Sequence, residues 1–187
     1  MLTYAQEIKK EHYPYTAKDV SEGTNIWENV QNVISQSDNY AQCSVGRGSI
    51  SNLDVTFSPL SGFNIKKAYL KASCYATSSM IQLYMHASTG KTQLYSSSFP
   101  TSKTLVTSNQ DVTSLIDLEK DTTFRLTATG STTSATVYIY SVYLELTVEG
   151  QGNNKTIYLG ANNIQNIYLG NNNISSVYLG DSLVYSN

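Results

Sequence analysis

Charge is scarce in this chain. Asp, Glu, Lys and Arg make up 14% of its residues, against roughly 25% in an ordinary soluble protein. Twelve Lys+Arg against fourteen Asp+Glu leave a formal charge of −2, so the clustered cations that a phosphate backbone needs are missing and nucleic acid is not an expected partner. Histidine is equally thin, with His12 and His86 far apart. His86 falls on the polar phase of "IQLYMHA" and reads as an exposed or half-exposed side chain. The two cysteines, Cys43 and Cys74, fit no metal-ligand spacing. A bridge between them is geometrically possible, but synthesis in the cytosol favours two buried thiols. Three prolines argue against a disordered linker protein. No apolar run approaches the eighteen or so residues of a membrane span, and "MLTYAQEIKKEHY" lacks the apolar stretch of a signal peptide. The expectation is a protein made in the cytoplasm and not inserted into a membrane.

Signs of catalysis are also wanting. No G-x-S-x-G elbow occurs, and two histidines are a poor supply for a triad. Asp38, Asp54, Asp111, Asp117, Glu119 and Asp121 form no diagnostic acid/base motif. "VGRGS" (45–49) lacks the Lys-Ser/Thr of a phosphate loop and reads as a glycine-rich turn. No His/Cys/carboxylate cluster marks a zinc site, and no cofactor is expected. A calcium ion held by loop aspartates and carbonyls leaves little trace in sequence, so that question stays open. The chain does not read as an enzyme.

What the chain has is tyrosine, fifteen of them, with much Ser, Thr and Asn and 40% hydrophobic residues. That is a β-rich composition. Residues 1–20 show neither clean alternation nor a helical stripe. They read as an N-terminal attachment segment ordered by a partner, or equally as a frayed terminus. In "NIWENVQNVIS" (25–35), Val30, Val33 and Ile34 sit at helical spacing, so a short turn or two is expected, with Trp27 plugging one end of a core.

From Asn39 onward the period is two. In "KKAYLKASCYA" (66–76), Ala68, Leu70, Ala72, Cys74 and Ala76 share one face, and Tyr69, Lys71, Ser73 and Tyr75 the other. "MIQLYMHA" (80–87) turns Ile81, Leu83, Met85 and Ala87 inward. "TFRLTAT" (123–129) does so with Phe124, Leu126 and Ala128, and "YSVYLELTV" (140–148) with Val142, Leu144, Leu146 and Val148. Weaker strands are expected at 40–45, 49–57, 92–97 and near Leu105. "VTSLIDLEKD" (112–121) reads as a strand end and a turn or short helix. Seven or eight short strands separated by Gly/Ser/Thr/Asn clusters indicate an all-β, antiparallel two-sheet sandwich over residues 21–149.

Trp27, Asn29, Asp38, Tyr40 and Ala41, then Gly62-Phe63-Asn64-Ile65 with Ala68, then Val137-Tyr138-Ile139 through Val148, carry a resemblance. In that order they resemble a jelly-roll β-sandwich domain of bacteriophage virion proteins, over roughly residues 24–149. The resemblance implies a jelly-roll-like fold, a place in the virion and no catalytic motif.

After "EGQGNN", residues 150–187 repeat a ten-residue unit: Tyr158-Leu159-Gly160, Tyr168-Leu169-Gly170, Tyr178-Leu179-Gly180. Each unit reads as a strand and a turn, with Asn162-Asn163 and Asn172-Asn173 supplying the reversals. Leu159, Leu169 and Leu179 fall in phase with Ile157, Ile167 and Val177. Tyr158, Tyr168 and Tyr178 fall on the opposite face, in phase with Ile164 or Ile174; Val184 closes the series. A sheet of about thirty residues cannot bury two such faces alone. These twelve residues are therefore the expected oligomerisation surface, either a meander covered by the sandwich or, as favoured here, a β-prism in a homotrimer. The tail also resembles units at the ends of phage tail and baseplate proteins, "SVYLGDSLVYSN" most closely, which again implies a virion protein.

Two functions follow from different premises. One is a phage structural subunit (tail, baseplate or head fibre) that joins other virion proteins through its N-terminal segment and meets the host surface. The alternative is a carbohydrate-binding module acting as a receptor-binding tip. For the second, Tyr69, Tyr75 and Tyr84 are the candidate sugar-stacking residues, on the wet side of strands that read as adjacent. Subunit contact or plain cover for the sheet explains the same tyrosines. Glycan recognition further predicts two or three exposed tyrosines converging beside Asn, Asp or Gln.

Overall fold

The computed structural model describes residues 7–87, 92–130 and 132–149, and the backbone of four short strands within 156–186. Ten strands form the body: β1 (Glu7–His12), β2 (Thr16–Asp19), β3 (Ala41–Val45), β4 (Ser49–Phe57), β5 (Ile65–Ala76), β6 (Ile81–Ala87), β7 (Thr92–Ser98), β8 (Thr104–Thr107), β9 (Thr122–Gly130) and β10 (Ala135–Glu149). One sheet runs β1-β10-β5-β8, with β3 also on β10, and the other runs β2-β4-β9-β6-β7. Every pairing in both sheets is antiparallel. This is the antiparallel two-sheet sandwich that the alternating pattern predicts, with the jelly-roll-like fold that the resemblance implies.

The alternation sets the core. Ala68, Leu70, Ala72, Cys74 and Ala76 of β5 are fully buried, as are Ile81, Leu83 and Met85 of β6 and Phe124, Leu126 and Ala128 of β9. Each large side chain so placed contributes roughly 1.5–3 kcal/mol relative to exposure. Trp27 is buried beside a 3₁₀ turn at Val30–Ile34, entered through Asn29 at φ 55°. A second 3₁₀ turn, Thr113–Leu115, occupies the stretch read as a turn or short helix. Cys43 and Cys74 are both buried free thiols, and burial pushes the Cys74 thiol up to about 12. Gly48, at φ +72°, makes the 45–49 stretch the turn between β3 and β4.

Two expectations are corrected. Residues 7–19 are not an attachment segment outside the sandwich: β1 pairs with β10 and β2 with β4, one strand to each sheet. Alternation fails in "EIKKEH" because five of the six residues of β1 are exposed, so backbone pairing rather than an apolar face holds it. The other concerns consecutive strands. β5 and β6 lie in different sheets, because the chain crosses the sandwich between Ala76 and Ile81.

β10 is the spine of the first sheet. Its first half pairs with β3 and its second half with β1 on one side, while β5 runs along the other. A β-bulge interrupts it: Ile139 faces Cys74 and Ser141 faces Ser73, leaving Tyr140 as an extra residue. Before the bulge Val137 and Ile139 are buried; after it the apolar inward set is Val142, Leu144, Leu146 and Val148, with Ser141 and Tyr143 of the outer side also covered. The inward phase has shifted by one residue, so Tyr140 and Ser141 both belong to the outer side.

The C-terminal segment is a separate compact unit. Its described strands make two hairpins, β11 (Thr156–Leu159) with β12 (Asn162–Gln165) and β13 (Ser176–Leu179) with β14 (Ser182–Ser186). The first reversal falls between Leu159 and Asn162, so Asn162 and Asn163 belong to β12 and are not the turn. Ile157 stands opposite Ile164, which places Ile164 in phase with Ile157 rather than with Tyr158. Ile167, Tyr168, Leu169 and Ile174 lie outside the described residues, as do the side chains of Ile157, Tyr158, Leu159, Ile164, Val177, Tyr178, Leu179 and Val184.

Candidate functional site

The outer face of the β10–β5 pair carries an aromatic ladder. Tyr75 and Tyr138 are register partners, and outward-facing side chains on directly opposed residues meet. Their rings stack at 4.6 Å between centroids, 17° from parallel. The bulge adds Tyr140 to the same stack, 6.2 Å from Tyr75 and 23° from parallel. Tyr40, just ahead of β3, closes the group edge-on, 5.0 Å from Tyr138 and 5.5 Å from Tyr140. Burial among the rings, then the Tyr140 phenol beside it, raises the pKa of Tyr75. The ladder presents apolar ring faces with hydroxyl rims.

A groove of about 430 Å³ opens next to the ladder, with Ser73, Tyr140, Ser141 and Tyr143 among its lining residues. On one side the loop Gln36–Asp38 forms a wall, and on the other Lys103 and Leu105 do. Asn32 Nδ2 donates to the Tyr40 carbonyl (2.9 Å) and the Asn39 amide to Ser37 Oγ (3.2 Å), which fixes the loop. Lys103 reaches across: its Nζ is 4.0 Å from the Tyr140 ring centroid and 3.3 Å from Asp38 Oδ1. Beyond the groove Tyr13 packs on Tyr143 at 5.4 Å, and the Tyr13 hydroxyl donates to Glu11 Oε2 (2.8 Å). Burial first, and Glu11 after it, raises the pKa of both phenols.

Of the three tyrosines marked in the sequence, Tyr75 is in the ladder. Tyr69 shares the outer face of β5 but lies six residues from Tyr75, roughly 20 Å along the strand, opposite Glu145. Tyr84 is on β6, in the other sheet, where it stacks on His86 at 6.0 Å. The structure thus does not bring the three together. It assembles Tyr40, Tyr75, Tyr138 and Tyr140 instead, with Tyr140 lining a groove together with Asp38 and Gln36. Tyr138 and Tyr140 had a sequence signal: two tyrosines two residues apart, just where the apolar phase slips between Ile139 and Val142. Lys103 had none, since its approach to Tyr140 and Asp38 is entirely non-local.

The outer face of the second sheet is polar and self-paired. Arg125 donates to both oxygens of Asp54 (2.6 and 2.8 Å), and Thr127 Oγ1 to Asn52 Oδ1 (2.8 Å). Among the described residues no cluster of three His, Cys, Asp or Glu is placed to hold a metal ion, and no helix is long and apolar enough to cross a membrane.

No protein-family profile matches the chain, and no curated protein matches it. Solved structures do. It is similar to the xylan-binding module CBM15, at 10% identity and a TM-score of 0.45, over 78% of this chain and 100% of that one. It is similar also to the CBM36-1 domain of a multidomain xylanase from the hindgut metagenome of Trinervitermes trinervoides (10% identity, TM-score 0.41, 78% and 99% covered). A third is the enzymatically active domain of tailspike protein 4 of bacteriophage CBA120, with 11% identity, a TM-score of 0.38, and 70% of this chain and 19% of that one covered. Likeness at this level carries neither a ligand nor a residue role to this chain.

Proposed function

We propose that the protein is a carbohydrate-binding module and that the β10–β5 outer face is its binding surface. The observation that carries this is the cluster of Tyr40, Tyr75, Tyr138 and Tyr140, whose Tyr140 also lines a groove with Gln36, Ser37, Asp38, Ser73 and Ser141. A sugar ring offers an apolar C–H face and a belt of hydroxyls. An aromatic wall serves the first, and side-chain amide, hydroxyl and carboxylate groups serve the second. Binding rather than turnover fits the lining: Asp38 is the one carboxylate among the described groove residues, whereas glycoside hydrolysis ordinarily employs two. A glycan array probed with the full chain and with Tyr140→Ala tests the proposal. Saturable binding to a saccharide that the variant loses supports it; an array with no bound glycan rejects it.

A second reading places this module in a phage virion appendage, joined to other virion proteins and trimerised through the tail. Its support is the motif resemblance; of the residues that carry it, Asp38 lines the groove and Tyr40 packs edge-on against Tyr140. The two readings are compatible, since a receptor-binding tip is both. The native mass of the full chain tests the assembly half: a trimer supports it, and a monomer at all working concentrations removes it.

A further inference from the structure

The stacked rings and the groove leave one question: what stands on the free face of the ladder? Tyr138, Tyr75 and Tyr140 lie near-parallel in sequence of contact, so Tyr140 is the terminal ring beside the groove. That ring already has an occupant, the Lys103 ammonium, 4.0 Å from its centroid. The same ammonium donates to Asp38 Oδ1 at 3.3 Å, so the pair spans the groove from one wall to the other. A sugar that stacks on Tyr140 must displace Lys103.

Displacement is cheap. The Asp38 side chain is fully exposed and that of Lys103 nearly half exposed. An ion pair in water of this kind contributes little, and a half-exposed ammonium over the partly covered Tyr140 ring adds only modestly. Asp38 is solvated with or without its partner. The destination of Lys103 therefore decides which ligand is preferred. Gln36, Ser37, Ser73 and Ser141 are neutral, and Lys103 is the one cation among the described groove residues. A neutral saccharide takes away the ring contact and the ion pair and returns no charge to Lys103. A saccharide with an anionic substituent replaces Asp38 as the partner, and the ammonium keeps a counter-ion throughout.

We propose that Lys103 is the specificity-determining residue of this groove: paired with Asp38 in the free protein, it exchanges that partner for the carboxylate or phosphate of an acidic saccharide. The proposal rests on the carbohydrate-binding reading and goes further, to the class of ligand. It also gives Asp38 a defined part, a competitor that holds the cation at the mouth until a better anion arrives.

The test compares galacturonate oligomers with the same oligomers fully methyl-esterified, which keeps the rings and removes the charge. A glycerol-phosphate polymer forms a second arm that separates phosphate from carboxylate as the source of the anion. Titration calorimetry of the full chain should show at least one acidic probe bound about two- to fivefold more tightly than the neutral ester, the scale of an exposed ion pair. Added salt should shrink that preference, because an exposed pair is screened. Lys103→Gln should abolish it, Lys103→Arg should retain it, and Asp38→Asn should tighten acidic binding by freeing the cation. An unchanged acidic-to-ester ratio in Lys103→Gln would overturn the proposal, as would weaker acidic binding in Asp38→Asn. If Tyr140→Ala loses both probes while Lys103→Gln keeps the ratio, the binding face stands and the role of Lys103 falls. If the native chain binds none of the three probes, the acidic preference is rejected, and the carbohydrate reading is judged separately by the array.

Discussion

Tyr75 and Tyr138 stand directly opposite each other on β5 and β10, their rings 4.6 Å apart and 17° from parallel. The pairing is a consequence of register. Moving β10 by one residue would turn Tyr138 inward and Val137 outward, so the same alignment that buries the core builds the ladder. The first prediction follows. Tyr138→Ala should weaken glycan binding about tenfold or more and cost the fold about 1 kcal/mol, the scale of an aromatic pair. Tyr84→Ala, on the other sheet, should leave binding unchanged. Calorimetry alongside urea denaturation separates the two effects.

Arg125 and Asp54 make a two-pronged, largely covered pair, with side-chain exposures of 22% and 13%. Asp54→Ala or Arg125→Ala should each cost roughly 1.5–3 kcal/mol, the scale of hydrogen bonds to charged groups. The double variant should cost less than the sum, because each single change strands the other charge. Denaturation midpoints of the four proteins check it.

Gly130 has no room for a side chain: a Cβ there would stand 2.5 Å from the Gly46 carbonyl oxygen and 3.0 Å from that of Thr133. Both obstacles are backbone, so neither yields easily. Gly130→Ala should destabilise by roughly 1–3 kcal/mol, as overpacking does, which thermal unfolding measures.

Acid should weaken the fold in two steps. Burial, and Arg125 after it, lowers the pKa of His86. A lowered histidine contributes stability that is present above its unfolded value of about 6.5 and lost as pH falls through the folded one. The Lys71 hydrogen bond, with help from the nearby charge of Lys9, lowers that of Glu145. This contribution is present above about pH 4.3 and lost as pH falls below it. His86→Gln should remove the upper step and Lys71→Met the lower, read from urea midpoints across the acid range.

Much of this sandwich was legible because β4, β5, β6, β9 and β10 each bury one face. Period two then names the inward residues directly, as in Ala68 through Ala76. β1 was not legible, since five of its residues are exposed and pairing alone orders it. The candidate site was half legible. Tyr75 lies on the outward phase of β5, but nothing local says that β6 crosses to the other sheet, so Tyr84 was grouped with it. The bulge left a mark, the slip of the apolar phase between Ile139 and Val142, though a slip shows where a strand bends and not what its side chains meet. Lys103 meets Asp38 across 65 residues and is visible only in the fold.

The tail supplies a further prediction. The body, Glu7–Glu149, is a compact unit with its own core. Ending the chain at Gly150 should leave it folded and monomeric, while the full chain should show the native mass of an oligomer. Equal oligomerisation of both would take the assembly role away from residues 157–184. Light scattering decides it.

The account stands or falls on where a sugar binds. With ring-labelled tyrosine and a glycan taken from the array, an NMR titration should shift the ring signals of Tyr40, Tyr75, Tyr138 and Tyr140 together. Those of Tyr84 and Tyr95 should not move. Shifts confined to Tyr84 and its surroundings, with the ladder silent, would contradict it.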